Sequence, residues 1–431
     1  MSELFAPGFK AEPYWWDDAP RPPKSDASLP REIDVLVVGA GYTGLMAARE
    51  TAKGGRSTLV IDAESAGWGC SSRNGGQVST SIKPSFTALS GKHNEQIAFG
   101  IRREGLQALD FIDELIRGEN LDCDWRRVGR YHAAHNQKQY DALAAFSKSQ
   151  PKGLEVPMEM VPRAEQHREI SSDLYYGGAI YPRQAALHAG KYHLELLRLA
   201  KAAGVQVVDH CPATAIQRDG QRFRVRTTKG EISARNVVIA TNGYSGPLSP
   251  WHRRRVIPIG SYIIATEPKP AEEMRRLIPN DRMVSDTRRV VFYYRLSPDH
   301  RSILFGGRVA YLESNPLVSA PKLQKCLSDI FPSLKQTRIS HSWMGFVAYT
   351  FDTLPHLGER EGIHYAMGYC GSGVSLATYF GMRVGQQVLG KAEGKTALDN
   401  VAFQTRPLYT GNPWFLAPSV WWYRLLDRLP I

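Results

Sequence analysis

Three stretches of this chain carry residue types at spacings that could do chemistry. In the first, Gly39, Gly41 and Gly44 follow an apolar run at 35–38, and Asp62 ends a second run at 59–61. Gly39 permits a tight turn, Gly41 lets backbone N–H groups approach a pyrophosphate at a helix N-terminus, and Gly44 allows a helix to pack closely on a sheet. Ala40, Tyr42 and Thr43 fill the turn, and Asp62, followed by Ala63, stands where a carboxylate can accept hydrogen bonds from a ribose. This is a dinucleotide grip that could serve NAD or FAD.

The second stretch is AESAGWGCSSRNGGQ, residues 63–77. Its glycines make it a turn-rich loop, and it leaves the C-terminal end of the second strand, where open α/β sheets bind ligands. The third is GYCGSGV, residues 368–374. This glycine-rich turn opens a helix over about 374–389, whose free N–H groups and positive dipole end can face negative charge. The chain shows no Ser-His-Asp set and no metal-ligand cluster of useful spacing, and its five cysteines form no CxxC pair.

The elements that must position these stretches follow from hydrophobic period. Residues 33–62 read as strand, glycine turn, helix and strand, and apolar positions over 95–117 and 186–203 fall at helical spacing. Strand-like runs occupy 205–243, and β-branched and aromatic runs over 256–311 predict a separate, largely antiparallel sheet. A helix over 320–331 and a strand ending near Trp343 follow. The six prolines of residues 1–31 predict an extended arm, with Tyr14-Trp15-Trp16 lying on the body of the protein. The fold class is α/β, with a Rossmann-like nucleotide domain (32–85, 180–245 and 346–431) interleaved with an α+β substrate domain (86–179 and 246–345).

At 431 residues, 42% hydrophobic and 22% charged, the chain fits two globular domains. No run of eighteen apolar residues and no signal-peptide pattern is present, so a cytoplasmic location is expected. The net charge of +12 is dispersed in short pieces such as His252-Arg253-Arg254-Arg255, which reads as solvated surface, and no nucleic acid partner is expected.

VVGAGYTGL (37–45), SSRNGGQ (71–77), ATNGYS (240–245), FDTLPHLG (351–358) and GYCGSGVSLA (368–377) together resemble the D-amino-acid-oxidase-like family of FAD-dependent oxidoreductases. PIGSYIIATEP (258–268), RLSPDHRSILFGGR (295–308) and the tail SVWWYRLLDRL (419–429) point to its γ-glutamylputrescine oxidase branch.

The resemblance implies FAD, with Ser72, Arg73, Asn74, Gly75 and Gly76 beside the flavin and pyrophosphate, Ala213 meeting the adenine, and Thr241, Asn242 and Gly243 covering the nucleotide. Gly371, Ser372, Gly373, Val374 and Ser375 would face the flavin edge that becomes negative on reduction. It also implies oxidation of an amine C–N bond by hydride transfer, in a pocket drawn from Trp68, Tyr262, Tyr293, Tyr294 and Trp343. Gly345 and Arg73 stand where relatives tether the flavin through cysteine or histidine, so non-covalent FAD is expected. Ser375 replaces a carboxylate-holding lysine, which favours a longer amine such as a γ-glutamyl amine meeting Arg308. Leu304 replaces an oxygen-activating lysine, leaving oxygen or another electron acceptor open. The alternatives are an RNA-modifying oxidase, a dehydrogenase using a non-oxygen acceptor, and a flavoprotein held at a membrane surface through Trp421 and Trp422. The sequence leaves the oligomeric state undetermined.

Overall fold

The computed structural model describes residues 3–25, 27–309 and 315–428. In chain order the strands are β1 (Phe5–Lys10), β2 (Glu32–Val38), β3 (Thr58–Ile61), β4 (Gln77–Val78), β5 (Arg130–Ala133), β6 (Glu159–Val161) and β7 (Gly178–Tyr181). Next come β8 (Ala185–Ala186), β9 (Gln206–Val208), β10 (Ala213–Asp219), β11 (Arg222–Thr227), β12 (Gly230–Ile239) and β13 (Ile257–Thr266). The last six are β14 (Met283–Asp286), β15 (Phe292–Leu296), β16 (Ile303–Gly307), β17 (Ile339–Tyr349), β18 (His356–Arg360) and β19 (Ile363–Met367). The helices are α1 (Tyr42–Lys53), α2 (Phe86–Lys92), α3 (Glu95–Gly118), α4 (Gln137–Lys148), α5 (Ala189–Ala202), α6 (Pro250–Arg253), α7 (Ala271–Leu277), α8 (Pro316–Ile330), α9 (Gly373–Val388) and α10 (Leu416–Arg428).

Two sheets carry the architecture. The first has a parallel centre, β9-β3-β2-β12-β19, in which β2 pairs with both β3 and β12. Val35, Leu36 and Val37 of β2 are fully buried, as a strand covered on both faces requires. On one face α1 packs against α9 so closely that a Cβ on Gly381 would lie 2.5 Å from the Thr43 carbonyl oxygen. The ends of β2, β3, β12 and β19 all open on one side, the usual ligand edge of a parallel sheet.

The second sheet has nine strands in the order β1-β17-β13-β16-β15-β14-β5-β7-β6 and is mostly antiparallel. Strand alternation divides its side chains: Tyr262, Ile264, Tyr294 and Phe305 enter a core closed by α8, while Ile263 and Tyr293 face the other way.

Several boundaries differ from the sequence reading. The N-terminal segment is more than an extended arm. It contributes β1, paired in parallel with β17, and a 3-10 turn at Tyr14–Trp16 that buries Trp15 completely. Strands β7 and β17 run through the expected divisions at 179/180 and 345/346, because a paired strand continues as long as its ladder does. Helix α3 packs on the nucleotide side: Gln107 accepts from the Tyr379 hydroxyl of α9 at 3.2 Å, and Glu104 accepts from the Ala397 N–H at 3.0 Å. Residues 1, 2 and 429–431, including the last residue of the 419–429 motif, lie outside the described residues, as do 310 and 311 of the expected strand region.

Candidate active site

A cavity of about 1370 Å³ runs between the two sheets. At one end lie Gly39, Gly41, Tyr42, Thr43, Asp62, Ala63 and Ala213, and in the middle Trp68, Arg73, Asn74, Gly75, Thr241, Asn242, Gly371, Ser372, Gly373 and Val374. At the far end are Tyr293, Arg308, Tyr349 and residues of α10. The structure therefore gathers most of the sequence-predicted residues around one space.

The glycine turn is built tightly. Gly39 has φ +110°, and a Cβ there would lie 2.9 Å from the Ala240 carbonyl oxygen. A Cβ on Gly44 would lie 1.9 Å from the Gly39 carbonyl oxygen, so Gly44 packs behind the turn and does not line the cavity. Asp62 braces the same turn: its two oxygens accept from the Ala40 N–H at 2.7 Å and the Glu64 N–H at 3.0 Å. Burial raises its pKa above the ordinary carboxylate value while these N–H groups pull it down. The remaining lone pairs of each oxygen are available to a ribose.

His193 backs the turn. It is fully buried, its Nε2–H donates to the Ala40 carbonyl at 2.8 Å, and Arg21 donates to its Nδ1 at 3.1 Å. Both bonds require the neutral Nε2–H tautomer, in keeping with a pKa depressed to about 3, first by burial and then by the Arg21 charge.

Helices α1, after Gly41, and α9, after Ser372, begin at this cavity with no cap from their own N-cap side chains, and at α1 the Ser71 hydroxyl accepts from the Tyr42 N–H at 3.0 Å. By contrast Ser85, Asn94, Asn136, His188 and Asn315 each cap a helix elsewhere. The N–H groups left free at such helix starts form a donor set for anionic groups. A Cβ on Gly41 would lie 2.8 Å from the Ser71 hydroxyl oxygen, so the turn leaves no room for a side chain where a phosphate would approach.

The loop at 70–76 is held from three sides. Trp15 donates its indole N–H to the Asn74 carbonyl at 2.7 Å, Trp16 to the Ser72 hydroxyl at 2.9 Å, and Trp343 to the Arg73 carbonyl at 2.8 Å. The Arg73 guanidinium lies over the Trp16 and Trp68 rings, 4.8 and 4.4 Å from their centroids. The N-terminal aromatics thus clamp the loop, a role that period and composition do not encode.

Several predicted residues sit behind the cavity wall. Tyr262, Tyr294 and Trp343 are fully buried and do not line it. Tyr262 and Tyr294 point to the α8 side because they alternate with the cavity-facing Ile263 and Tyr293, and Trp343 is held in the core beneath the loop. Ala40, Ser72, Gly76, Gly243 and Ser375 support the walls. Ser72 donates to the Gly67 carbonyl, Gly76 accepts from Arg295, Gly243 packs on Phe346, and Ser375 donates to the Ser79 carbonyl.

Sequence reasoning missed Lys83, Arg130, His132, Tyr349 and the inner face of α10, all of which line the cavity. Leu416, Val420 and Tyr423 recur at the i, i+4, i+7 spacing of one helix face, a signal that was readable. Helix α10 closes over the cavity, with Asp427 accepting from the Arg289 and Val290 N–H groups at 3.0 and 3.2 Å and Arg424 donating to the Arg308 carbonyl at 2.9 Å. Trp421 and Trp422 face outward. Among the described residues no helix is long and apolar enough to cross a membrane, and no cluster of metal-ligating side chains occurs.

The family model described as FAD dependent oxidoreductase, DAO, matches residues 34–387. This chain belongs to the DAO family of FAD-dependent oxidoreductases. Among DAO relatives, the probable oxidoreductase OrdL of Haemophilus influenzae is 31% identical over 366 residues, 84% of each chain. The gamma-glutamylputrescine oxidoreductase of Escherichia coli is 30% identical over 405 residues, covering 92% of this chain and 93% of that protein. Among solved structures, glycine oxidase from Geobacillus kaustophilus superposes with a TM-score of 0.72 at 20% identity over 88% of this chain and 99% of that one. The DAO cofactor is FAD, and the residues present fit it. The glycine turn and the starts of α1 and α9, all on one cavity, provide for a pyrophosphate and a second anionic edge.

Proposed function

We propose that the protein oxidises the C–N bond of an amine to an imine, with a γ-glutamyl amine or a related amine or amino acid as substrate. The observation that carries this reading is that one cavity joins the dinucleotide turn to an aromatic, cationic chamber. Tyr293, Tyr349, Phe346 and Arg308 line that chamber, and the Cys370 N–H just before α9 donates to the Ala348 carbonyl next to Tyr349 at 3.0 Å. Two relatives support the substrate class by name, the gamma-glutamylputrescine oxidoreductase and the glycine oxidase already described.

When bound, FAD supplies the hydride acceptor, which takes hydrogen with its electron pair from the carbon next to nitrogen. The chain's own residues prepare the substrate. A primary amine with a pKa of about 10.4 is neutral in roughly one molecule in 2,500 at pH 7, a handicap of about 4.6 kcal/mol. Apolar, aromatic walls disfavour the ammonium form and reduce that handicap. The Tyr293 hydroxyl shares a hydrogen bond with Ser261 at 2.8 Å, which fixes the ring against the cavity. Arg308, whose Nη1 donates to the Gly260 carbonyl at 2.9 Å, is the cation assigned to a distal carboxylate. The α9 N-terminus stabilises negative charge that develops next to it.

The FAD is held without a covalent bond. Gly345 offers no side chain, and the Cys70 thiol beside it is kept protonated, pushed up to about 11 by burial. Acid precipitation should therefore leave all flavin in the supernatant, and flavin in the pellet would refute this point.

The deciding experiment is an anaerobic screen of γ-glutamyl amines, simple amines and amino acids, following bleaching of the flavin band near 450 nm and then readmitting air. Bleaching by amines is expected, and recovery in air would assign oxygen as acceptor. A yellow enzyme that no amine or amino acid bleaches would overturn the proposal.

A further inference from the structure

The cavity has a second cationic pole, distinct from Arg308. Four strands place it there by register. Gly306 of β16 pairs with Tyr293 of β15, Tyr293 with Ser285 of β14, and Ser285 with His132 of β5. Directly paired residues share a face, so this row forms one floor. Arg130 lies two residues before His132 on the same strand and therefore on the same side. Arg130, His132, Ser285 and Lys83 all line the cavity.

The charges at this end lack a counterion. Among the described residues, neither Arg130 nor Lys83 has a carboxylate oxygen within 4.0 Å. The Arg130 Nε is buried and has no hydrogen-bond partner, and its guanidinium rests on the Tyr181 ring, 5.1 Å from the centroid. Lys83 lies 5.5 Å from the centroid of Tyr349. His132 adds no charge. Burial and then the Arg130 charge depress its pKa to about 3, and it shares a 2.9 Å hydrogen bond with the Ser285 hydroxyl. Burial lowers the Arg130 pKa, and since a desolvated cation without a partner is costly, an anionic ligand beside it would remove that cost.

The two poles do not serve one carboxylate. The row from Gly306 to His132 crosses three strand spacings, roughly 14 Å. Arg308 leans away from it, to the Gly260 carbonyl on β13, and Arg130 leans the other way, onto Tyr181 of β7.

We propose that Arg130 and Lys83, assisted by Ser285 and neutral His132, form a second carboxylate subsite, so that the preferred substrate is an amine bearing two anionic groups, one for each pole. The inference rests on the amine-oxidising reading and narrows its substrate class.

The test uses the FAD-loaded enzyme and reads binding through perturbation of the flavin spectrum. The probes are linear dicarboxylates from adipate to decanedioate, each against the monocarboxylate of equal length. At least one dicarboxylate should bind ten-fold or more tightly than its monocarboxylate. Arg130→Gln and Lys83→Gln should erase that ratio while leaving monocarboxylate binding unchanged, and Arg130→Lys should restore part of it. Lys83 is exposed, so its variant keeps the test valid if Arg130→Gln fails to fold. Unchanged ratios in both variants, or equal loss for both probe classes, would overturn the subsite. Failure of the parent reading is separate: it would appear as flavin that no amine bleaches, whatever the carboxylates do.

Discussion

The indole N–H of Trp343 donates to the carbonyl oxygen of Arg73 at 2.8 Å, joining β17 of the nine-stranded sheet to the loop that follows the nucleotide grip. Trp343 is fully buried, so its indole N–H depends on this acceptor. Trp343→Phe keeps an aromatic ring but removes the bond and part of the buried volume. The expected result is a loss of about 1–3 kcal/mol in stability and weaker FAD retention, measured by thermal unfolding and flavin titration. Unaltered FAD affinity would show that the loop is held by Trp15 and Trp16 alone.

Gly44 tests the grip itself. A Cβ at this position would collide with the Gly39 carbonyl, so Gly44→Ala must push α1 off β2. Folded but colourless protein is expected, seen as retained circular dichroism with no absorbance near 450 nm.

Gly306 tests the other end. The Tyr293 ring occupies the space of its missing side chain, with Cζ 2.3 Å from an added Cβ. Gly306→Ala should drive the ring into the cavity, leaving flavin content intact while lowering kcat/KM for amines ten-fold or more. A parallel loss of flavin would place the defect in folding instead.

His193 sets an acid limit. Its folded pKa of about 3 lies below the unfolded value of 6.5, so its contribution to stability is complete above pH 6.5 and is lost as pH falls toward 3. Protonation at Nδ1 would break the bond from Arg21 and charge the back of the glycine turn. His132 and His252, each also near 3, and His188, near 4, act in the same direction. Each proton taken up steepens the fall by about 1.4 kcal/mol per pH unit. Urea unfolding between pH 7 and pH 4 should show this slope, reduced by one proton in His193→Gln.

Asp427 ties the last helix down. Asp427→Ala removes the acceptor of two loop N–H groups at Arg289 and Val290 and should raise KM several-fold while leaving flavin binding unchanged. Unchanged KM would mean that the apolar contacts of Leu416, Val420 and Tyr423 suffice.

The dinucleotide turn was legible because its chemistry is local: three glycines and an acid act within one strand, helix and strand. The α9 start was legible for the same reason. The substrate chamber was not, since facing in a sheet depends on register. Tyr293 and Tyr294 are equivalent in composition, yet one lines the cavity and the other supports α8. Arg130 and His132 were missed because a four-residue strand carries too short an alternation to rank its faces. The roles of Trp15 and Trp16 depend on a contact with a loop far along the chain, which no local pattern records.

The tight seat of α9 on α1 has a consequence for biosynthesis. Gly381 and Gly385 fit against Thr43, Ala47 and Glu50, so the face of α1 ending at Lys53 waits for a helix that begins only at Gly373. At ribosomal rates of about 5–20 residues per second, that wait is on the order of tens of seconds. During it an apolar helix face stays open, a period in which chaperone capture or aggregation competes with folding, and slower growth temperatures should raise soluble yield.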